Sequence, residues 1–221
     1  MQLVAYGAQD IYLTGNPMIT YFKVVYRRHT NFAMESIEQT FNGSVGFGNR
    51  VTALISRNGD LINGVTLEAT LPDLTNTSWI QHVGHYLMSE IVVEIGGQQI
   101  DKHYSDWLEI WSQLTLPAGQ KAGYLKMIGQ DEPDALGQPT GLQLRTNDSG
   151  RKIYVPLQFW FCRNVGLALP LIALQYHEVK ITIQFASGAS LVTGTTPTSL
   201  SASLWVDYIY LDTDERRRFA Q

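Results

Sequence analysis

Hydrophobic and polar residues alternate along most of this chain, and this two-residue period restricts it to structures built from sheets. In Glu178–Phe185 every second side chain, beginning with Val179, is apolar, and the side chains between them are polar. Val65–Leu71 repeats the pattern. A period of two is expected when a strand of an antiparallel sheet packs one face on a core and turns the other to solvent. The alternation therefore predicts an all-β protein.

Further strands are predicted by the same pattern in Ile19–Tyr26, Glu35–Phe41, Val51–Ser56, Ser89–Ile95, Gln98–Lys102, Ile153–Phe161 and Ser203–Leu211. Turn dipeptides lie between the strands: Asn42-Gly43, Asn58-Gly59, Asn63-Gly64 and Gly96-Gly97. Gly96-Gly97 predicts a two-residue hairpin, because both glycines accept a positive φ. Strands of this number, joined by long loops, favour a β-sandwich of two antiparallel sheets. An eight-stranded jelly roll fits best, and the pattern alone leaves an immunoglobulin-like or lectin-like sandwich open.

One segment has a helical period instead. In Tyr104–Leu114 a single helical stripe carries Tyr104, Trp107, Leu108, Trp111 and Leu114. This stripe predicts a short helix inserted near residues 104–116, with its aromatic side turned inward. Ser105 or Asp106 is the expected cap, and Pro117 with Gly119 is the expected stop. A shorter helix or turn is predicted over Gly119–Ile128.

Two segments rich in turn residues predict long exposed loops, Gly129–Gly150 and Ser187–Ser201. Long loops on a compact set of strands usually carry contacts rather than folding stability. At 221 residues the chain fits one large β domain. We expect residues 1–25 to form an N-terminal arm and first strand, and residues 26–212 to form the single jelly-roll domain.

The sequence offers little support for nucleophilic catalysis. Cys162 is the one cysteine, with Arg163 beside it and His177 further along the chain. A nucleophilic cysteine needs a lowered pKa and a base within reach. Because free cysteines are so often buried, we interpret Cys162 as a buried structural thiol.

A metal site is also not predicted. His82 and His85 have the i, i+3 spacing of a ligand pair, but no third ligand lies nearby in the sequence and Gly84 weakens a helix there. Asp131, Glu132 and Asp134 are interpreted as a solvated loop. The sequence therefore predicts no catalytic residue, no cofactor-binding residue and no metal ligand.

The remaining polar features have structural interpretations. The segment "GSVGFG", Gly43 to Gly48, lacks the lysine of a phosphate-binding loop and is predicted to be a turn. His29, His103 and His177 are interpreted as isolated polar residues. The arginines 216–218 stand beside acidic residues, which favours a salt-bridged segment over a nucleic-acid contact. A net charge of −4 likewise gives no bulk attraction to nucleic acid.

The most apolar part of the chain is Tyr154–Phe185, which predicts a strand, an apolar connection and a return strand. Pro156 cannot donate to a sheet ladder, so it is expected at an edge or bulge. The connection carries the apolar side chains of Val165, Leu167, Leu169, Leu171, Ile172 and Leu174. Burying one such side chain contributes about 1.5–3 kcal/mol. The connection is therefore expected to lie across the end of the core or against another subunit.

Four blocks of the sequence resemble the major capsid proteins of nucleocytoplasmic large DNA viruses, of the phycodnavirus and mimivirus type. The blocks are "YVPLQFWFCRNVGLALPLIALQYHEVKI" at 154–181, the N-terminal stretch from Gln2 to Ile62, "IVVEIGGQQIDKHYSDWLEIWSQLT" at 91–115 and the closing "LDTDERRRFAQ". They follow the family order and cover well over half of the chain.

The resemblance implies a shell subunit with two consecutive jelly rolls per chain. Such chains form homotrimers of pseudo-hexagonal outline, which tile an icosahedral shell over an internal membrane. The implied partners are other capsid chains and minor capsid proteins, with no direct nucleic-acid contact, no membrane insertion and no cofactor. The implied location is the virion, assembled in the host cytoplasm.

In that family the first jelly roll ends near a segment like "DERRRFAQ", where this sequence stops. Residues 213–221 are therefore expected to begin a connection to a second jelly roll that is absent here. A fragment, a split form or a shortened relative would each explain this departure, which puts the pseudo-hexagonal trimer in doubt.

Two other classes of function remain as alternatives. A sandwich module that binds glycans or a host surface would use the loops Gly129–Gly150 and Ser187–Ser201, yet these contain no Trp, Tyr or Phe. An enzyme would use Cys162 with His177, or a metal held by His82 and His85. Neither has the residue set that its chemistry requires.

Overall fold

Two antiparallel sheets form the body of the protein. The structure, a computed structural model, describes residues 31–72, 74, 78–130 and 151–220. Its strands are β1 (Phe32–Gln39), β2 (Phe41–Asn42), β3 (Arg50–Leu54), β4 (Leu61–Leu71), β5 (Ser78–Trp79), β6 (Met88–Ile95), β7 (Gln98–Tyr104), β8 (Arg151–Pro156), β9 (Leu169–Pro170), β10 (Val179–Phe185), β11 (Val192–Thr193) and β12 (Ser201–Leu211). Its helices are α1 (Val83–Tyr86), α2 (Ser105–Thr115), α3 (Ala118–Met127), α4 (Trp160–Arg163) and α5 (Thr213–Ala220).

The strand order identifies the sandwich. One sheet runs β1-β12-β4-β8, with β9 also paired to β4, and the other runs β2-β3-β10-β6-β7. Each sheet thus interleaves strands from the two halves of the chain, with β12 beside β1 and β10 beside β3. This is the arrangement of a jelly roll, in which the eight long strands form two Greek keys. The predicted fold class is confirmed.

Alternation along the strands builds the core between the sheets. In β4 the side chains of Val65, Leu67, Ala69 and Leu71 are buried, while the polar side chains between them are partly exposed. Leu67 lies directly opposite Leu204 of β12, so the two strands contribute to the same face. The largest fully buried side chains are those of Trp79, Tyr208, Phe159, Phe161 and Phe185. The two-residue period therefore predicted the inward-facing set correctly.

Of three further strand and turn predictions, two are wrong in part or whole and one lies outside the described residues. β8 ends at Pro156, on the edge of its sheet as expected, but Phe159 to Phe161 leave the strand and enter α4. The predicted strand Ile153–Phe161 is therefore too long. Asn63-Gly64 is not a turn but lies inside β4, where a Cβ on Gly64 would collide with the Asp207 side chain. Ile19–Tyr26 lies outside the described residues.

The two glycine-rich turns form as predicted. Gly96 and Gly97 join β6 to β7 with φ values of 61° and 82°, the positive pair that a type I′ hairpin requires. The segment Gly43 to Gly48 is a turn between β2 and β3, and Gly48 has a φ of 77°.

The inserted helix is present, with a different buried face. α2 follows β7 directly and buries Leu108 and Ser112. Tyr104 and Leu114, placed on the inward stripe by the sequence, are exposed. Neither Ser105 nor Asp106 caps the helix by a side-chain hydrogen bond, since Ser105 is already its first residue. α3 corresponds to the predicted shorter helix, and no helix within the described residues is long and apolar enough to cross a membrane.

Backbone hydrogen bonds gather the loops at two opposite ends of the sandwich. At the first end, named the connection end, Gly96 N–H donates to the Glu178 carbonyl, joining the β6–β7 hairpin to the segment before β10. At the second, named the helix end, Gly84 N–H donates to the Ile128 carbonyl, joining α1 to the segment after α3. The fold thereby separates the apolar connection from the histidine pair.

Candidate functional site

Arg57 fixes the shape of the apolar connection. Its guanidinium donates to the carbonyls of Leu174 at 2.7 Å, His177 at 3.0 Å and Gln175. A guanidinium carries five donors in a planar fork, so one side chain holds a whole turn of backbone. Arg57 comes from the β3–β4 turn, and its role was not evident from the sequence.

The connection divides its apolar side chains between core and solvent. Leu169 and Leu171 are buried in the sandwich, which confirms that the connection covers one end of the core. Val165, Leu167 and Tyr176 instead remain 76%, 53% and 94% exposed. We name these three side chains the connection patch. These three exposed apolar groups, all within one twelve-residue segment, are the basis of the partner contact proposed below.

Aromatic side chains close one open side of the sandwich, where the edge strands β7 and β8 face each other. His103 of β7 stacks on Phe159, which follows β8, with ring centroids 4.7 Å apart. Trp107 of α2 packs beside His103, and Arg163 lies 4.9 Å above the ring centre of Trp111. The positive charge of Arg163 is therefore held over indole rings by a cation–π contact.

Cys162 behaves as the structural thiol that the sequence predicted. Its side chain is partly buried against the core, and burial raises the pKa of the thiol to about 12. A thiol with this pKa is protonated at neutral pH and is a poor nucleophile. His177 lies instead at the connection end, with its ring against Gly96. Among the described residues no hydrogen bond joins Cys162 to His177.

His82 and His85 do acquire a third polar partner. Glu109 of α2 places Oε2 3.0 Å from Nδ1 of His82 and 2.7 Å from Nδ1 of His85. The sequence argument against a metal site was that no third ligand lies nearby in the sequence, but in the fold Glu109 lies beside both histidines. Glu109 is 24 positions beyond His85 and comes close only because α1 packs on α2. No sequence spacing pointed to it.

The surroundings of this cluster set its protonation. Burial lowers the pKa of His85 below its ordinary value, although Glu109 opposes the shift. Burial alone would raise the pKa of Glu109, but hydrogen bonds from Gln113 and His85 and the nearby imidazoles lower it overall. The cluster therefore combines a carboxylate with a neutral buried imidazole at neutral pH.

The other predicted polar features are structural or lie outside the described residues. Arg216 binds Asp60 at 3.0 Å and Arg218 binds Glu215 at 3.1 Å, which confirms the salt-bridged segment. Asp60 also accepts a hydrogen bond from the Leu211 backbone N–H, so α5 is tied to the end of β12. The carboxylates 131, 132 and 134 and His29 lie outside the described residues.

Of the two predicted long loops, Ser187–Ser201 lies wholly within the described residues. Residues 131–150 are outside the described residues. The Ser187–Ser201 segment holds a short 3-10 turn at Gly188–Ser190 and the strand β11, which pairs with β5. Ser78 and Thr193 join this two-stranded ribbon through hydroxyls 3.0 Å apart. The segment predicted to be one long loop therefore contains regular structure.

Comparison with known sequences gives one consistent group of relatives. Residues 20–212 match the family model described as the major capsid protein N-terminus. The chain is 58% identical to the major capsid protein of Pyramimonas orientalis virus, covering 100% of this chain and 55% of that protein. It is 48% identical to the major capsid protein of Paramecium bursaria Chlorella virus 1, covering 100% of this chain and 49% of that protein. The chain thus spans about half the length of these relatives.

Comparison with solved structures agrees. A crystal structure of PBCV-1 VP54 matches with a TM-score of 0.74 and 45% identity, over 91% of this chain and 48% of that one. The Faustovirus major capsid protein matches with a TM-score of 0.69 at 12% identity, over 97% of this chain and 60% of that one. The second likeness concerns the fold alone.

Proposed function

Because this chain belongs to the family of major capsid proteins and matches its N-terminal part over residues 20–212, we propose that it is a structural subunit of a viral capsid shell. In this role it is the first jelly roll of a double-jelly-roll protein and works through contacts with other chains rather than through catalysis. The observation that carries the proposal is the family match over residues 20–212, and the exposed connection patch offers a surface for such contacts.

The partners follow from the family and remain part of the proposal. They are further copies of the capsid protein, in a homotrimer and in neighbouring capsomers, together with minor capsid proteins. Nucleic acid is not a direct partner, and the internal membrane beneath the shell is not entered. The location is the virion capsid, assembled in the host cytoplasm.

The domain boundaries belong to the same proposal. The arm and first strand proposed for residues 1–25 lie outside the described residues. Residues 26–212 form the jelly roll in this proposal, and residues from 213 onward begin a connection to a second one. Support comes from the end of β12 at Leu211 and from α5, which starts at Thr213. The relatives are about twice as long as this chain, so contacts made by their other half lie outside this proposal.

The two alternative functions have less support. A glycan-binding module would be favoured by an aromatic platform on its loops, and Ser187–Ser201 contains no Trp, Tyr or Phe. An enzyme based on Cys162 lacks an ionised thiol, because the pKa of that group is about 12. The relatives are named as capsid proteins, which favours the structural role.

The mass of the chain in solution tests the proposal. We expect light scattering across a concentration series to show a trimer, or growth beyond it. The variant combining Val165→Ser with Leu167→Ser removes two exposed apolar side chains without touching the core, and it should shift the mass toward the monomer.

Leu54→Thr is the matched control, because Leu54 is also exposed and apolar but lies in β3, outside the connection. It should leave the mass unchanged. A monomer at every concentration, or an oligomer that the double variant does not weaken, would contradict the role given to the connection patch.

A further inference from the structure

We propose that His82, His85 and Glu109 form a binding site for one divalent transition-metal ion of the Zn²⁺ class, at the helix end of the sandwich. The site is separate from the connection patch, so the proposal does not depend on the shell role. Its function is to join α1 to α2.

The ligand atoms already converge. One atom from each of the three residues lies within 4.8 Å of the other two. A tetrahedral ion with bonds of about 2.1 Å holds its ligands about 3.4 Å apart. Oε2 of Glu109 is 2.7 Å and 3.0 Å from the two imidazole nitrogens. An ion can therefore take the place of the protons between Oε2 and the two Nδ1 atoms if each nitrogen moves away from the oxygen by less than about 1 Å.

Hydrogen bonds from neighbouring side chains orient His85 and Glu109 so that one ligand atom of each faces the proposed site. Nε2 of His85 lies 2.8 Å from the Tyr124 hydroxyl, which leaves Nδ1 directed at the site. Gln113 donates to Oε1 of Glu109 at 2.9 Å, which leaves Oε2 directed at the imidazoles. Metal-binding histidines and carboxylates usually have such a second partner, which fixes the tautomer and the ring.

The backbone at His82 gives an independent indication. Among the described residues His82 is the non-glycine residue with a positive φ, at 52°. A non-glycine residue in this region is uncommon, and such conformations cluster at functional sites. The Gln130 side chain accepts a hydrogen bond from the His82 backbone N–H at 3.2 Å, so the turn is held in this conformation. The turn directs His82 to the carboxylate that His85 also binds.

The ligand set selects the class of ion. Two imidazole nitrogens and one carboxylate oxygen suit Zn²⁺ and its neighbours, whereas Mg²⁺ and Ca²⁺ take oxygen ligands. Three protein ligands leave a fourth position for water. The His82 and Glu109 side chains are 19% and 20% exposed, which gives an ion a path from solvent to the buried His85.

Titration of the chelator-treated chain with Zn²⁺ tests the site. Calorimetry should give one ion per chain, and Tm should rise because an ion that binds only the folded state stabilises it. Co²⁺, used as a spectroscopic substitute, should give the visible absorption of a tetrahedral nitrogen and oxygen site. Mg²⁺ and Ca²⁺ should leave Tm unchanged.

Three variants test the individual residues. Glu109→Gln and His82→Asn should each abolish stoichiometric binding; asparagine suits the second position because it tolerates the left-handed backbone. Tyr124→Phe should weaken binding by about 10–100-fold, since Tyr124 is a positioning residue for His85. The matched control is Asp101→Asn. Asp101 also pairs with an imidazole, that of His103 at 3.1 Å, but it has only this one histidine partner and is not part of the proposed site.

The control variant should bind Zn²⁺ as the original chain does. Absence of stoichiometric binding by the original chain would overturn the proposal, and so would undiminished binding by both Glu109→Gln and His82→Asn. Circular dichroism identifies any variant that fails to fold. In that case the Co²⁺ spectrum of the original chain decides, because an octahedral spectrum would contradict the site.

Discussion

At the scale of single residues, burial decides which groups keep their protons. Cys162 is held against the core, and its pKa of about 12 is well above the ordinary thiol value of 9.0. In the unfolded chain the thiol returns to its ordinary value. At a pH between these two pKa values the thiol is deprotonated in the unfolded chain and protonated in the folded chain, so rising pH favours unfolding. The stabilising effect is complete below pH 9 and is lost as pH rises toward 12.

This linkage can be measured by comparing the original chain with Cys162→Ala. Since one pKa unit corresponds to about 1.4 kcal/mol, the free energy of unfolding of the original chain should fall by about 1 kcal/mol more than that of the variant between pH 8 and pH 10. Urea denaturation at the two pH values gives the difference, and the variant cancels the contribution of buried tyrosines such as Tyr124. An equal fall of the free energy of unfolding in both chains would contradict the raised pKa of Cys162.

At the scale of elements, α2 shows how one helix serves two environments. Leu108 is fully buried between the helix and the sandwich, whereas Leu114, on the same helix, is 79% exposed. The helical period placed both leucines on one inward stripe. In the structure the buried face carries Leu108 and Ser112, whereas the rings of Trp107 and Trp111 lie against Arg163 at the side of the sandwich.

The two leucines form a matched pair for mutation. Leu108→Ala creates a cavity in a close-packed region, and we expect it to lower the free energy of unfolding by about 2–5 kcal/mol. Leu114→Ala removes the same atoms from a solvent-exposed position and should change the free energy of unfolding by less than about 0.5 kcal/mol. Chemical denaturation of both variants checks the contrast, and equal losses would show that the assigned burial is wrong.

Strands were easier to predict than their ends. The inward positions of β4 and β10 follow from alternation alone, because a sheet with one buried face has a strict period of two. The end of β8 was missed because Phe159, just before α4, and Phe161, within α4, continue the apolar pattern of the strand and are buried in the core. Glu109 was missed for a related reason, since a contact between two helices leaves no periodic signal in the chain.

At the scale of the whole molecule, the sheets join the two halves of the chain. β1 pairs with β12, so that Phe32 lies opposite Leu211, and β3 pairs with β10, so that Val51 lies opposite Ile183. Closing such long loops costs entropy before the contacts stabilise the fold. Proteins dominated by distant pairings fold slowly for this reason.

Refolding kinetics test this expectation. After dilution from urea, the main phase should take milliseconds to seconds or longer, as in other sandwiches. The chain contains eight prolines, so a prolyl isomerase should be added to identify phases limited by proline isomerisation. A main phase complete in less than about a millisecond would contradict the role of distant pairing.

The hold of Arg57 on the connection has a consequence for how such a surface changes over time. Its guanidinium contacts carbonyls of Leu174, Gln175 and His177, and every residue type has a carbonyl. The path of the chain is thus specified independently of the side chains displayed along it. Substitutions at positions such as Tyr176 can therefore change the exposed side chains while the backbone beneath them keeps its path. The surface chemistry of this end can thus change without any change of the fold.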